Sequence, residues 1–281
     1  MVRGPYGPLF GGGCQDMSKY PRPKKRYGQN FLHDKRIIYR IVNAANVSPQ
    51  DSVLEIGPGR GHLTEALASK GANVVAIEAD KDLTDGPLRR FDNMERVRII
   101  QADAAEFPIE EIYAIPRSYK LVANLPFNVG SHILRNLICS ENRPSVAVVM
   151  LQKEVAKNVA ATSGRMGLLS VVIQTYSKAK VVFSVPASAF TPTPKVSASV
   201  LLLETYREPL IKTHEYLEFF KFAAAGFASP RKQIHNSFAT GLSVSLATSK
   251  NLLNNCGIDY SRRPGTLSVP EWIELFNHYR E

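Results

Sequence analysis

Cysteine and long apolar runs are scarce in this chain, and each scarcity excludes a class of protein. The 281 residues include only three cysteines, Cys14, Cys139 and Cys256, which are far apart and form no C-x-x-C pair. This spacing predicts neither a disulfide framework nor a zinc site. The six histidines are also scattered, and no pair has metal-ligand spacing with a carboxylate. We therefore expect no bound metal.

No apolar run approaches the roughly 20 residues that a helix needs to cross a bilayer. The first residues also lack the apolar stretch and cleavage site of a secretory signal. The apolar and charged fractions, 44% and 21%, are ordinary for a globular protein with an ample core. We therefore expect a monomeric cytoplasmic protein that has no membrane partner.

Positive charge is abundant and unevenly distributed. The net charge is +10, and residues 1–36 carry eight Lys and Arg against two acidic residues. Five of these basic residues lie close together before the first periodic segment: Lys19, Arg22, Lys24, Lys25 and Arg26. Such a cluster suits a phosphate backbone, although a solvated tail would carry the same excess. Because residues 1–16 are rich in Gly and Pro, we expect residues 1–23 to form a disordered basic arm.

Apolar periodicity predicts alternating helices and strands after this arm. A helical stripe over residues 35–46 precedes five short apolar runs typical of buried strands: 52–56, 73–78, 97–101, 119–124 and 145–151. Strands that alternate with helical connectors indicate an α/β fold with a doubly wound, mostly parallel sheet. Two more strands, residues 179–185 and 196–204, follow a helix and are separated by a proline-rich stretch. They predict an antiparallel end to a seven-stranded sheet.

After Pro209 the pattern is entirely helical. Four helical stretches with short connectors follow: residues 213–228, 230–239, 244–256 and 269–279. We therefore predict two domains after the arm, an α/β domain of residues 24–208 and a small all-helical domain of residues 209–281.

A glycine-rich turn follows the first predicted strand of the sheet. Glycines at positions 57, 59 and 61 stand between this strand and a helix, where Gly57 and Gly59 let a ligand approach the backbone closely. The spacing G-x-G-x-G departs from the dinucleotide fingerprint, whose third glycine comes three residues after the second. The turn therefore disfavours NAD or FAD.

Acidic residues end or follow the next two strands. Glu78 ends the second strand, where a carboxylate can accept hydrogen bonds from both hydroxyls of a ribose. Asp103 follows the third strand and can accept from an adenine amine, while Ala104 can offer its backbone N–H to the ring. Either acid alone is more typical of a strand end or a helix N-cap than of a ligand site. Together with the glycine turn, they predict a site for S-adenosylmethionine.

The tetrapeptide Asn124, Leu125, Pro126 and Phe127 ends the fourth strand. An asparagine oxygen and a neighbouring carbonyl can accept both hydrogens of an exocyclic amine, while an aromatic ring stacks on the base that carries it. The same tetrapeptide is also an ordinary way to end a strand and turn the chain. Placed beside a methyl donor, it indicates methylation of a nucleobase amine.

Several motifs in this order resemble the ribosomal RNA adenine dimethyltransferase family. They are KKRYGQNFL at 24–32, EIGPGRG at 55–61, IEAD at 77–80, QAD at 101–103, NLPF at 124–127, F-x-P-x-P-K-V at 190–196 and R-K-Q-x-x-N at 231–236. The resemblance covers roughly residues 24–276. The helical tail, with Gly257, Ile258, Asp259, Arg263 and Pro264, resembles the branch that acts on the small ribosomal subunit more than the resistance branch that acts on large-subunit RNA.

The resemblance implies which residues form the site. Asn30 and Leu32 would contact the cofactor from the N-terminal segment, completing the site of Gly57, Glu78, Asp103 and Asn124. The chain departs from the family at two positions, because small-subunit members usually have Tyr at position 127 and commonly have Asp at position 197, where this chain has Ser. Phe127 keeps a stacking face but lacks the hydroxyl, and Phe also occurs in the branch that acts on large-subunit RNA.

RNA contacts are expected outside the cofactor site. A flipped base would be sandwiched by Phe127 and Phe190, unless Phe190 is a core aromatic. Lys195, Arg231 and Lys232 are candidate phosphate contacts, although each is equally typical of a solvated face. The predicted partner is small-subunit ribosomal RNA within a precursor subunit. Three alternatives stay open: a large-subunit resistance methyltransferase, a non-catalytic RNA-binding assembly or transcription factor, and a DNA adenine methyltransferase.

Overall fold

The computed structural model describes residues 21–281. Residues 1–20 of the predicted basic arm, including Lys19, lie outside the described residues. Within the described part, residues 21–24 have no regular secondary structure, and a short 3-10 helix follows at Lys25–Tyr27.

Nine strands form two sheets in the described residues. The strands are β1 Phe31–Leu32, β2 Ser52–Ile56, β3 Asn73–Glu78, β4 Val97–Gln101, β5 Lys120–Asn124, β6 Val146–Gln152, β7 Ser177–Val185, β8 Phe190–Thr191 and β9 Ala198–Thr205. The large sheet has the order β4-β3-β2-β5-β6-β9-β7. Strands β2 to β6 pair in parallel, and β9 pairs antiparallel with both β6 and β7. The predicted seven-stranded, mostly parallel sheet with an antiparallel end is confirmed.

Ten α-helices accompany these strands in residues 21–281. They are α1 Lys35–Ala44, α2 His62–Ala68, α3 Lys81–Thr84, α4 Gly130–Ile138, α5 Lys153–Val159, α6 Leu168–Gln174, α7 Tyr216–Gly226, α8 Ile234–Gly241, α9 Leu246–Asn255 and α10 Val269–Arg280. None of them combines the length and apolar character needed to span a membrane.

Local sequence explains where α1 begins and which face it buries. The Asp34 side chain accepts a hydrogen bond from the Arg36 backbone N–H and so caps the helix. Apolar side chains then recur at helical spacing, and those of Ile37, Ile38, Ile41 and Val42 are buried. This is the stripe that the sequence predicts.

The strand order places the loops that matter for function. Between β2 and β5 the order of the parallel strands reverses, because β3 lies on one side of β2 and β5 on the other. In open α/β sheets, ligands bind in the crevice at the carboxyl ends of the strands at such a switch point. The glycine turn after β2 and the tetrapeptide after β5 therefore face one crevice.

A small second sheet joins two distant parts of the chain. Phe31 of β1 pairs with Thr191 of β8, and Leu32 pairs with Phe190, in antiparallel register. The His33 N–H also donates to the Ala189 carbonyl at 3.1 Å. The residues before α1 are thereby attached to the loop between β7 and β9, which is a connection that the sequence does not predict.

The C-terminal helices share an apolar core with the sheet. One cluster of buried side chains extends from β5 and β6 through α4 and α6 to helices α7 to α10. At its C-terminal end Trp272 is fully buried, stacks on Phe227 at a centroid distance of 5.1 Å, and contacts Phe222 and Phe238 edge to face. The four predicted C-terminal helices are present, and their separation as a domain of residues 209–281 stays a prediction.

Gly226, at the end of α7, tests how tightly this aromatic cluster is packed. Alanine in place of glycine normally stabilises a helix by about 0.5–1 kcal/mol. Here, a Cβ on residue 226 would lie 2.4 Å from Cη2 of Trp272. We therefore expect Gly226→Ala to lower the free energy of unfolding by about 1–3 kcal/mol, measured by urea denaturation. Lys221→Ala, at an exposed position of α7, is the control. A stabilised Gly226→Ala variant would contradict the packing.

Candidate active site

A single cleft at the switch point brings the predicted cofactor and catalytic residues together. Its walls include every one of them: Asn30, Leu32, Gly57, Gly59, Glu78, Asp103, Asn124, Leu125, Pro126 and Phe127. They come from the segment before α1, the ends of β2, β3 and β5, and the loop after β4. Residues separated by almost a hundred positions in sequence thus line one surface.

The glycine turn lets the backbone pack closely against its neighbours. Gly59 has a φ of +59°, which favours glycine, and a Cβ there would lie 2.9 Å from the Phe31 ring. The Gly59 N–H donates a hydrogen bond of 3.1 Å to Oε2 of Glu78. The turn therefore hydrogen-bonds to the end of β3 and packs against the Phe31 ring of β1.

Glu78 is a buried carboxylate with its oxygens directed by backbone groups. It is 5% exposed, and its Oε1 accepts from the Asp80 N–H at 2.9 Å. Burial raises the pKa of Glu78, while the N–H groups of Asp80 and Gly59 oppose that rise. Each carboxylate oxygen has a second lone pair, so the side chain can still accept from ribose hydroxyls.

Asp103 is exposed and lines the same cleft. Its Oδ1 accepts a hydrogen bond of 2.9 Å from the Ala105 N–H. The structure thus gives Asp103 the turn-capping contact that the sequence allows. Its cleft position also leaves room for the predicted contact with an adenine amine, which stays a prediction.

The Asn124 amide has one satisfied end and one unsatisfied end. Its Nδ2 donates to the backbone carbonyl of Asn30 at 3.1 Å. Its Oδ1 is buried and has no hydrogen-bond partner in the structure. Buried acceptors are normally paired, and leaving one unpaired costs about 1–3 kcal/mol. This oxygen is suited to a donor supplied by a ligand.

The turn after Asn124 limits which carbonyls can face a substrate. The Pro126 carbonyl accepts the Gly130 N–H at 2.7 Å as α4 begins, so it is already engaged. The Leu125 N–H donates to the Met150 carbonyl on β6 at 3.2 Å. Of the Leu125 and Pro126 carbonyls, that of Leu125 is therefore better placed to act with Asn124 Oδ1 as a second acceptor for a substrate donor.

Phe190 does not lie open to the cleft as a partner for Phe127. It is 1% exposed, and the two rings meet edge to face with centroids 6.1 Å apart and an angle of 67° between their planes. A base cannot lie between rings in this arrangement. Phe190 therefore supports Phe127 from the core, and a direct contact between Phe190 and a base stays a prediction that would require the rings to separate.

The three predicted phosphate contacts lie on exposed surfaces outside the cleft lining. Lys195 is in the loop between β8 and β9, and Arg231 and Lys232 precede α8. Their RNA contacts stay predictions. In residues 21–281 no group of three His, Cys, Asp or Glu side chains is arranged to hold a metal ion.

Glu55 is a site residue that the sequence reasoning missed. It lines the same cleft, is 1% exposed, and its Oε2 has no hydrogen-bond partner. Burial, together with the nearby charge of Glu78, raises the pKa of Glu55 to about 8. An acidic residue in an otherwise apolar strand, two positions before Gly57, was the available signal. The site thus holds two buried carboxyl groups, of which Glu55 is mainly protonated at neutral pH.

The fold and the cleft together define a class of protein. The glycine turn, the acid at the end of β3 and the unpaired amide oxygen at the end of β5 fit a methyltransferase that uses S-adenosylmethionine and acts on an amine. The family model described as ribosomal RNA adenine dimethylase matches residues 21–280. The chain belongs to this family.

Curated relatives agree with this assignment. The chain is 39% identical over 258 residues to the ribosomal RNA small subunit methyltransferase A of Dehalococcoides mccartyi, covering 92% of this chain and 89% of the relative. It is 38% identical over 265 residues to the protein of that name from Listeria innocua, covering 90% of each.

Two solved structures share the fold over most of the chain. A dimethyladenosine transferase from Plasmodium falciparum superposes with a TM-score of 0.75 at 22% identity, covering 89% of this chain and 97% of that one. The 23S rRNA methyltransferase ErmE superposes with a TM-score of 0.68 at 23% identity, covering 90% of this chain and 100% of that one. At these identities the likeness shows the fold alone.

Replacing Glu55 should change how stability depends on pH. The ordinary carboxyl pKa of 4.5 applies to the unfolded chain, and the folded value is about 8. The folded state therefore binds this proton more tightly, and the resulting stability is present below pH 4.5 and is lost as pH rises through about 8. We expect Glu55→Gln to remove this loss. The free energy of unfolding of the variant, relative to that of the wild type, should therefore increase between pH 5 and pH 8.

Urea denaturation at pH 5, 6.5 and 8 measures this effect. Glu106→Gln, at an exposed position beyond β4, is the matched control and should follow the wild-type curve. Parallel pH dependences for the wild type and Glu55→Gln would show that Glu55 is ionised in the folded protein.

Proposed function

We propose that this enzyme uses S-adenosylmethionine to dimethylate the exocyclic N6 of adenines in small-subunit ribosomal RNA during subunit maturation. The unpaired Oδ1 of Asn124 is the observation that carries the chemistry. The substrate assignment is supported by the relatives named ribosomal RNA small subunit methyltransferase A, which match about nine-tenths of this chain.

Asn124 and Leu125 activate the amine through geometry. The N6 lone pair of adenine is delocalised into the ring, so the amine is a poor nucleophile. If Asn124 Oδ1 and the Leu125 carbonyl accept the two amine hydrogens, the nitrogen is drawn toward tetrahedral character and its lone pair is directed at the methyl carbon. No general base is then required in the first transfer itself: the methylated nitrogen becomes cationic as the sulfonium becomes a neutral thioether, and its extra proton is released to solvent afterwards.

The cleft supplies matching contacts for the cofactor. When bound, S-adenosylmethionine supplies a methyl group on a sulfonium, which is a good leaving group. Glu78 would accept hydrogen bonds from the ribose hydroxyls, Asp103 would accept from the adenine amine, and Asn30 and Leu32 would enclose the cofactor from the N-terminal side. The close backbone approach at Gly57 and Gly59 would admit it beside the tetrapeptide.

Phe127 would hold the target base after it leaves its stack. The ring is half-buried on the cleft wall and is supported from behind by Phe190. Stacking of a base on one aromatic ring contributes about 1–3 kcal/mol. Because Phe127 has no hydroxyl, its contribution is stacking alone.

The partner we propose is a precursor of the small ribosomal subunit, bound by one copy of the chain in the cytoplasm. The net charge of +10 favours a polyanion, and structured RNA is recognised mainly through its shape and backbone. Exposed Lys195, Arg231 and Lys232 are the proposed phosphate contacts.

Transfer of labelled methyl groups onto purified unmodified subunits tests both the substrate and the site. We expect transfer to small subunits, and a loss of at least about a hundredfold in Asn124→Ala because an interaction made in the transition state is removed. Cofactor affinity should change much less. Asn136→Ala, at an exposed position of α4, is the matched control.

The two parts of the proposal fail in different ways. Transfer to large subunits alone would contradict the substrate assignment. Full activity of Asn124→Ala on small subunits would contradict the role of its amide and leave the substrate assignment standing.

A further inference from the structure

Residues 24–32, here called the N-terminal strap, form part of the cleft wall. Seven consecutive residues within it, from Arg26 to Leu32, line the cleft directly. The strap is attached at its far end by the pairing of β1 with β8. Its first residues, near Lys24, and its middle, near Arg26 and Gly28, make further contacts with the rest of the protein. The proposed function assigns no role to these contacts.

The near end of the strap is held by a buried carboxylate. Asp80 is 1% exposed, and its oxygens accept from Lys24 Nζ at 2.5 Å and from Gln29 Nε2 at 2.7 Å. Gln29 Oε1 in turn accepts the Lys24 N–H at 2.7 Å. Lys24 also contacts Asp82, whose side chain is 60% exposed. A buried charge requires partners, and the strap provides the side-chain partners of Asp80.

The middle of the strap contacts the catalytic loop. Asn128, directly after Phe127, donates from Nδ2 to the Arg26 carbonyl at 3.1 Å. Gly28 has a φ of +60°, and a Cβ there would lie 2.4 Å from Asn128 Oδ1. The strap therefore lies directly against the loop that carries Phe127.

This arrangement determines which end of the Asn124 amide is left unpaired. The Asn30 carbonyl, within the strap, accepts from Asn124 Nδ2 and leaves Oδ1 without a partner. If the strap moves away, that carbonyl is lost and the amide can rotate. A rotated amide would present its N–H₂ donor to the substrate amine, which is itself a donor, so activation would fail.

We propose that Asp80 is a positioning residue for methyl transfer. It holds Lys24 and Gln29, and through them the strap, so that the Asn30 carbonyl keeps Asn124 Oδ1 directed at the substrate amine. Asp80 also donates its own N–H to Glu78 Oε1, which connects the strap to the proposed ribose contact. This inference rests on the proposed role of Asn124.

Asp80→Asn is a sharp test because it preserves the local fold. The Asp80 side chain caps α3 by accepting from the Asp82 N–H, and asparagine caps a helix as well as aspartate does. The substitution thus removes the charge that holds Lys24 while keeping the cap. Asp85→Asn, on the exposed residue that pairs with Lys81 after α3, is the matched control.

The informative readout is the single-turnover rate of methyl transfer at saturating cofactor and RNA. We expect Asp80→Asn to lower this rate about tenfold to a hundredfold, the effect of losing a hydrogen bond to a charged group, and Asp85→Asn to leave it unchanged. A lower thermal stability alone would not change the rate per folded molecule at saturation.

Substitutions of Lys24 test the other side of the contact. Lys24→Met should slow transfer in the same way, and the double variant with Asp80→Asn should be no slower than Asp80→Asn alone, because both act through one contact. Lys24→Arg keeps the charge and should restore most of the rate. If Asp80→Asn does not fold, Lys24→Met carries the test, since the Lys24 side chain is 27% exposed.

The outcomes separate this inference from the proposed function. If Asp80→Asn and Lys24→Met transfer methyl groups at the rate of Asp85→Asn while Asn124→Ala is inactive, the positioning role of Asp80 is wrong and the proposed function stands. If Asn124→Ala is fully active, the role of the amide is wrong, and this inference fails with it.

Discussion

The chemistry of this protein depends on one buried amide with unequal ends. Asn124 uses its nitrogen on the Asn30 carbonyl, and its oxygen is buried without a partner. The desolvation of such an acceptor is uncompensated within the protein, and a donor supplied by a ligand would compensate it. The orientation of this amide therefore depends on the strap, which supplies the Asn30 carbonyl.

The fold brings these parts together through strand order. β2 and β5 are parallel neighbours at the point where the strand order of the sheet reverses. The glycine turn and Asn124 therefore face the same crevice. β3 lies beside β2 and places Glu78 within hydrogen-bond distance of the turn. A proposed cofactor contact and a proposed catalytic group thus occupy fixed positions on a rigid scaffold, while the segment that orients Asn124 comes from outside the large sheet.

Patterns confined to short windows could be predicted from the sequence, and contacts between distant segments could not. Strands β2, β3 and β4 begin and end where predicted, because each apolar run is bounded by polar residues or glycine. β1 and β8 contain two residues each and are paired across about 160 positions, so neither shows a periodicity of its own. The family resemblance implied Asn30 as a cofactor contact, but its carbonyl contact with Asn124 required the structure. The same holds for the burial of Phe190 and Glu55.

A crystal structure of the complex with S-adenosylhomocysteine and an RNA that carries the target adenosine tests the central claim most directly. The account predicts that N6 of the flipped adenine lies within hydrogen-bond distance, about 2.7–3.2 Å, of both Asn124 Oδ1 and the Leu125 carbonyl oxygen. It also predicts that Asn124 Nδ2 remains on the Asn30 carbonyl. An adenine N6 held by other groups, or an Asn124 amide turned to face it with nitrogen, would contradict the account.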